Sequence, residues 1–191
     1  MEVKILTGDE INEARRLARE VLVWEQDWII PENPTRLRVE GDELRDAYDA
    51  IATWFGIFDG DTLIGCNRTC GRLCGYLELE HYHPLPDFIR QSNSAIEGTR
   101  LAIKKEYRSS LAIFELARFE WRHLLKCGCE FFFTTGSIPT PGVFYTRKLG
   151  LMRHGEPFRY HAQDPNQVYL LFANRGRLEK AIKKLTGIIG G

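Results

Sequence analysis

From Ala95 to Ile103, apolar or small residues alternate with polar ones, the two-residue period of a strand. Lys104, Lys105 and Glu106 break the alternation. Beyond Ser109 and Ser110, both good N-cap types, Leu111, Phe114, Ala117, Trp121 and Leu124/Leu125 recur at helical spacing. A strand therefore runs through a polar turn into a helix whose first free N–H groups face whatever lies beyond the strand. That end suits a phosphate, a pantetheine amide or a developing negative charge.

The flanking pattern extends this unit into a sheet. An amphipathic helix is predicted over 9–27, capped by Asp9, with Ile11, Ala14, Leu17/Ala18, Val21/Leu22 and Trp24/Glu25 in period. Pro31 and Pro34 stop it, and a mixed-charge loop with little apolar content runs to about Ala50. Ile51–Phe58 and Thr62–Leu73 read as a hairpin around Asp59-Gly60-Asp61. Leu77–Pro86 reads as irregular, and 86–91 as a short helix. After the central helix, ended by Gly128, Cys129–Thr135 is predicted as a buried strand and Pro139–Leu149 as a short helix closed by Gly150. One or two strands follow from Met152, the last being Val168–Ala173, then a helix over Arg177–Leu185 and a frayed Gly-rich tail. This order predicts an α/β (α+β) fold, a mixed sheet with helices on its faces in three layers, as one domain over 1–191.

Charge removes some classes of partner. The 26 basic and 26 acidic residues cancel, which argues against nucleic acid or a bulk membrane surface. No stretch approaches the roughly 20 apolar residues of a membrane span, and Met1-Glu-Val-Lys-Ile lacks the regions of a signal peptide, so a soluble cytoplasmic protein is expected. The five cysteines (Cys66, Cys70, Cys74, Cys127, Cys129) are odd in number and do not match zinc spacings. They read as buried thiols on strands, and no metal site or permanently bound cofactor is expected.

Tyr107-Arg-Ser-Ser-Leu-Ala-Ile-Phe-Glu-Leu-Ala117, followed by Phe144-Tyr-Thr-Arg-Lys-Leu-Gly150, resembles the acyl-donor motifs of the GNAT acyltransferase superfamily. The resemblance implies that Arg108, Ser109, Ser110, Leu111, Ala112 and Ile113 cradle the pantetheine and pyrophosphate of coenzyme A, and that Tyr145 lies near the thioester sulfur. The family has glycines where this chain has Leu111 and Ile113, which crowd a pyrophosphate. The coenzyme A grip is then weaker, or the donor is another pantetheine carrier.

Over roughly residues 15 to 160 the chain also resembles one branch of that superfamily, the acyl-homoserine-lactone (autoinducer) synthases and long-chain N-acyl amino acid synthases. The likeness is carried by Arg19, Val23 (in place of an aromatic), Glu25 and Trp28; by Asp46-Ala-Tyr-Asp49; by Gly65-Cys-Asn-Arg68; by Leu85-Pro-Asp-Phe88; and by Ile96-Glu-Gly-Thr-Arg-Leu101. It implies a splayed, GNAT-like α/β/α sandwich. It also implies an N-acyltransferase that moves a fatty acyl group from an acyl carrier protein or coenzyme A thioester to the amine of an amino acid or S-adenosylmethionine-type acceptor. Asp46, Asp49, Arg68 and Trp28 would hold that acceptor, although the charged residues could equally tie the N-terminal segment to the sheet.

Aminolysis of a thioester needs a neutral amine, donors for the oxyanion and a proton for the thiolate. Glu97 and Arg100, with Tyr145, are the candidate catalytic residues; Glu97 is a candidate base, or the partner of an arginine such as Arg68 or Arg100. On a regular strand Arg100 faces away from Glu97, and only a bulge would bring both to one pocket. Tyr145 is a candidate acid or a packing residue. Most of Trp24, Trp28, Trp54, Phe55, Phe58 and Phe131–Phe133 read as core, and a deep apolar channel among them would suit a medium or long acyl chain, at ~0.8 kcal/mol per buried methylene. Lys104, Lys105, Arg108, Arg147 and Lys148 would steer an acidic carrier protein. Two other readings stay open: an acetyl-CoA-dependent N-acetyltransferase for a small amine or a protein, and a catalytically silent binding module.

Overall fold

The computed structural model describes residues 1–28, 30, 35–138 and 140–190, without the side chains of Thr140 and Pro141. Its nine strands are β1 (Glu2–Ile5), β2 (Arg38–Glu40), β3 (Glu43–Arg45), β4 (Thr53–Asp59), β5 (Thr62–Cys70), β6 (Ala95–Ile103), β7 (Phe131–Ser137), β8 (Met152–Phe158) and β9 (Val168–Asn174). The five helices are α1 (Asp9–Arg19), α2 (Asp87–Arg90), α3 (Ala112–Lys126), α4 (Thr140–Phe144) and α5 (Arg175–Ile189). Seven strands form one sheet in the order β1-β4-β5-β6-β7-β9-β8, antiparallel except where β6 meets β7.

That parallel pair is the feature on which the site depends. Its register spans Ala95–Glu97 against Phe131–Phe133, after which the strands splay, and residues 98–103 of β6 have no strand partner on that side among the described residues. β7 instead continues with β9, from Phe131↔Asn174 to Ser137↔Val168. On one face, α1 buries Ala14, Leu17 and Ala18 against Trp54, Leu63 and Cys66. The segment from Leu77 to Ile89 adds Leu77, Leu79, Leu85 and Ile89 around Ala95 and Phe133. On the opposite face, α3 and α5 bring Trp121, Leu124, Leu178 and Leu185 onto Phe132, Leu171 and Ala173. The layers are therefore helix, mixed sheet, helix.

Several local expectations change. Asp9 is the first residue of α1 rather than its cap; Gly8 holds that place at φ +54°. The N-terminal helix passes into a wider π turn over Glu20–Glu25. Trp24 there is 60% exposed rather than core, and the Arg19 guanidinium stacks on it at 3.8 Å. Pro31 and Pro34, expected to stop that helix, lie outside the described residues, as does Pro139 at the start of the helix expected over 139–149. The charged loop contains a small hairpin, β2 with β3, and a 3-10 turn over Ala47–Ala50. α3 starts after Leu111, with Ser110 Oγ accepting from Ala112 N at 3.1 Å one position before the expected cap geometry. The final helix runs to Ile189, past its expected end at Leu185, so most of the tail expected to fray is helical. Cys74 and Cys127 are exposed, while the other three thiols are buried as read.

Candidate active site

The site is built on a bulge in β6. Cys66 pairs with Ala102 and Arg68 with Thr99, so Arg100 and Leu101 both stand against Asn67. Arg100 adopts φ +58°, a region that a long side chain enters only when its surroundings hold it there. The bulge overturns the expectation for a regular strand: Glu97 and Arg100 line one cavity.

What holds Arg100 is a buried charge cluster. Arg68 Nη1 donates to Asp46 Oδ1 at 2.8 Å and to Asp49 Oδ1 at 3.0 Å, and Nη2 donates to Glu78 Oε2 at 2.5 Å. Arg100 Nη2 donates to Asp46 Oδ2 at 2.6 Å and to Glu78 Oε1 at 2.5 Å. Asp46 and Glu78 thus each bridge both guanidiniums. Burial opposes ionisation of Asp46, but Arg100 and Arg68 outweigh it and hold its pKa at about 2. Asp46 also accepts from Tyr48 N at 2.8 Å, and Asp49 Oδ2 accepts from Asp46 N at 3.2 Å, so the same carboxylates cap the turn at 47–50. Arg15 of α1 reaches Asp49 at 3.4 Å.

Asp46, Asp49 and Arg68 therefore come together as the motifs suggested, but behind the cavity rather than on its wall. Among the described residues Glu97 joins none of these ion pairs, which corrects the reading of it as an arginine's partner. Glu97 Oε2 accepts from Leu79 N at 3.0 Å. Burial pushes Glu97 up to about 8, and the neighbouring Glu78 adds to this against the Leu79 N–H and the two arginines. That puts a buried carboxyl near neutrality, where a general base works best.

The first cavity, about 170 Å³, is walled by Glu78, Glu97 and Arg100 on one side and by Trp28, Tyr82 and Tyr160 on another. The Arg100 guanidinium lies 5.4 Å from the Trp28 ring centroid, and Tyr160 meets Trp28 and Tyr82 edge to face. The Tyr160 and Thr135 hydroxyls are 2.9 Å apart, and the Tyr82 and Thr35 hydroxyls 3.2 Å. A second cavity of about 40 Å³ lies against α3, lined by Ile113, Leu116, Ala117, Phe132, Leu149 and Leu151 together with Asn67, Glu120 and Trp121. Gly98, Leu101, Thr134 and Tyr145 line both cavities, so the two meet at the splay. Tyr145 is half-buried there, and burial, with Glu120 close by, raises its hydroxyl above the usual tyrosine range.

The segment expected to cradle the donor, Arg108–Ile113, runs into the start of α3. Ala112 is buried, Ile113 lines the second cavity, Leu111 is 39% exposed, and Ser109 is exposed. Leu111 therefore does not plug the cleft. Arg108 Nε donates to Ile103 O at 2.9 Å, and Arg108 pairs with Glu25. That ion pair joins the N-terminal segment to the donor loop.

Sequence reading missed Glu78, Tyr82 and Tyr160 of the first cavity and Asn67 and Glu120 of the second as lining residues. Glu78 was hidden in a stretch without period, where its one signal was a carboxylate set between Leu77 and Leu79. Among the described residues no group of three or more His, Cys, Asp or Glu is placed to hold a metal ion. No helix among them is long and apolar enough to cross a membrane.

No family model matches the chain, and no curated protein sequence matches it. Solved structures do. An N-acyl amino acid synthase, FeeM, from uncultured soil microbes superposes with a TM-score of 0.67 at 17% identity, covering 94% of this chain and 93% of its own. MesI, a CoA-dependent acyl-homoserine lactone synthase, gives 0.70 at 15% identity, covering 100% and 96%. A putative N-acetyltransferase from Lactobacillus plantarum gives 0.60 at 16% identity, covering 91% and 99%. These likenesses show the fold alone: the chain shares the overall architecture of these two synthases and of this acetyltransferase.

Proposed function

We propose that the protein is an N-acyltransferase, moving an acyl group from a pantetheine thioester to the amine of an amino acid or S-adenosylmethionine-type acceptor. The observation that carries this reading is the splay of β6 from β7, beside which the Glu97 carboxyl, pushed up to about 8, and the half-buried Tyr145 line one cavity. The acceptor occupies the first cavity and the donor approaches along α3. Glu97 takes a proton from the amine, whose nitrogen attacks the thioester carbon. A C–N bond forms, the C–S bond breaks, and Tyr145 supplies the proton that the leaving thiolate needs. Arg100 is a positioning residue in this scheme: by neutralising Glu78 and Asp46 it keeps Glu97 from rising further. Trp28 and Tyr160 wall the acceptor in. The charge cluster of Asp46, Asp49 and Arg68 supports that wall instead of touching substrate.

An acyl carrier protein and coenzyme A are both compatible donors through their common pantetheine arm. The small second cavity, about 40 Å³, favours a short acyl group over a long one. Mass spectrometry of lipid extracts from expressing cells tests the proposal. An amino-acid-linked or lactone-linked acyl product should appear, and should vanish in a Glu97→Ala strain. Transfer of acetyl alone would favour the acetyltransferase reading, and thioester binding with no amine acylated would sink both.

A further inference from the structure

A third cavity lies at the end of α3 remote from the expected donor segment. It is an open groove of about 270 Å³, larger than either active-site cavity, and among the described residues it shares no lining residue with them. A pair of reactive groups stands on its wall: Cys127 Sγ lies 3.4 Å from His123 Nε2, one helical turn back. The His123 ring sits edge to face on the buried Phe55 ring, centroids 5.6 Å apart, which fixes where Nε2 points. Gly128, at φ +83°, ends the helix and turns the chain inward. Cys127 is left exposed at the rim, while Cys129 and Cys70, which line the same groove, are buried.

We infer that Cys127 is a modification site: the groove seats a low-molecular-weight disulfide of a peptide-like thiol, and Cys127 exchanges with it to give a persistent mixed disulfide. Nothing in this rests on the acyltransferase reading. With Nε2 unprotonated, His123 takes the proton of the Cys127 thiol, and the thiolate attacks one sulfur of the incoming disulfide. One S–S bond forms as the other breaks, and the departing thiolate leaves as a thiol carrying the proton from His123. The protein thiol is oxidised and one half of the disulfide is reduced, so the incoming disulfide is the whole of the oxidant. Persistence follows from the neighbouring thiols. A resolving thiol must first ionise, and burial pushes Cys129 up to about 12 and raises Cys70 well above the usual thiol range. Thr53, Asn93 and Ser94 offer hydroxyl and amide partners to the amides and carboxylates of a peptide. Cys74 is the internal comparison: it is also exposed, but among the described residues no histidine bonds to it and it lines none of these three cavities.

The test is intact and peptide-mapped mass spectrometry of the full chain during incubation with glutathione disulfide. A single glutathionyl adduct should accumulate on Cys127, roughly tenfold or more faster than on Cys74. His123→Gln should remove most of that advantage. With hydroxyethyl disulfide, which lacks peptide groups, the preference for Cys127 over Cys74 should shrink, and Thr53→Val with Ser94→Ala should shrink it for glutathione disulfide too. Equal rates at the two cysteines overturn the inference, as does a disulfide between Cys127 and Cys129 in place of the adduct. The same preference with both reagents overturns the seating of a peptide. Should His123→Gln fail to fold, the comparison with Cys74 in the unsubstituted protein still decides.

Discussion

Glu97 and Arg100 face one cavity although three positions separate them on a strand, because Arg100 takes φ +58° inside a bulge. The guanidinium is spent on Asp46 and Glu78, and Glu97 is left with a single backbone donor. A buried carboxyl without a cation of its own keeps its proton to a higher pH than a free one and is the stronger base once ionised.

If Glu97 is that base, kcat/KM for the amine should rise with pH through about 8 and then level, because only the ionised carboxylate accepts a proton. Glu97→Gln should lower the rate by roughly 10²- to 10⁴-fold and remove this limb of the profile. A Gln variant with an unaltered profile would rule the role out.

Stability should respond to pH through Glu120. Its folded pKa, about 8, lies above the ordinary value of 4.5, so its contribution is fully present below about pH 4.5 and is lost as pH rises through 8. Asp46, held at about 2, acts in the other direction at lower pH, its contribution lost as pH falls from 3.8 through 2. Relative to the unsubstituted protein, Glu120→Gln should therefore gain stability between pH 5 and pH 9, read as a rising difference in urea midpoints.

Removing one member of the buried charge cluster leaves the others unneutralised. Arg68→Met should destabilise the fold by about 3–5 kcal/mol, since three carboxylates lose a shared partner. Denaturant midpoints measure this directly. A loss below about 1 kcal/mol would mean the cluster is relaxed in solution.

Gly98 lines both cavities. A Cβ there would meet the Phe132 ring at 2.6 Å, so Gly98→Ala should cost about 1–3 kcal/mol of stability. It should also weaken thioester binding more than acceptor binding, as separate titrations of the two substrates would show.

Donor identity is separable by charge. Lys104 and Lys105 flank the exit of β6, so Lys104→Glu with Lys105→Glu should raise the KM for an acyl carrier protein thioester and leave the KM for acyl-CoA unchanged. An unchanged KM for both donors would argue against carrier docking at this face.

Much of this molecule was readable from residues a few positions apart. Strand period over Ala95–Ile103, helical period through Trp121, the Gly60 turn and the Gly128 and Gly150 stops all landed on the observed elements to within a few residues, since backbone preference and one-sided burial act locally. What no local pattern revealed was the partner set. Glu78 meets Arg100 from 22 positions away and Asp46 from 54, and Asn67 reaches Glu120 across 53. The bulge likewise carries no glycine or proline at Arg100 to announce it. Ion pairs and strained backbone of this kind exist only where packed layers close around them, so the site's chemistry appears when the chain has folded and not before.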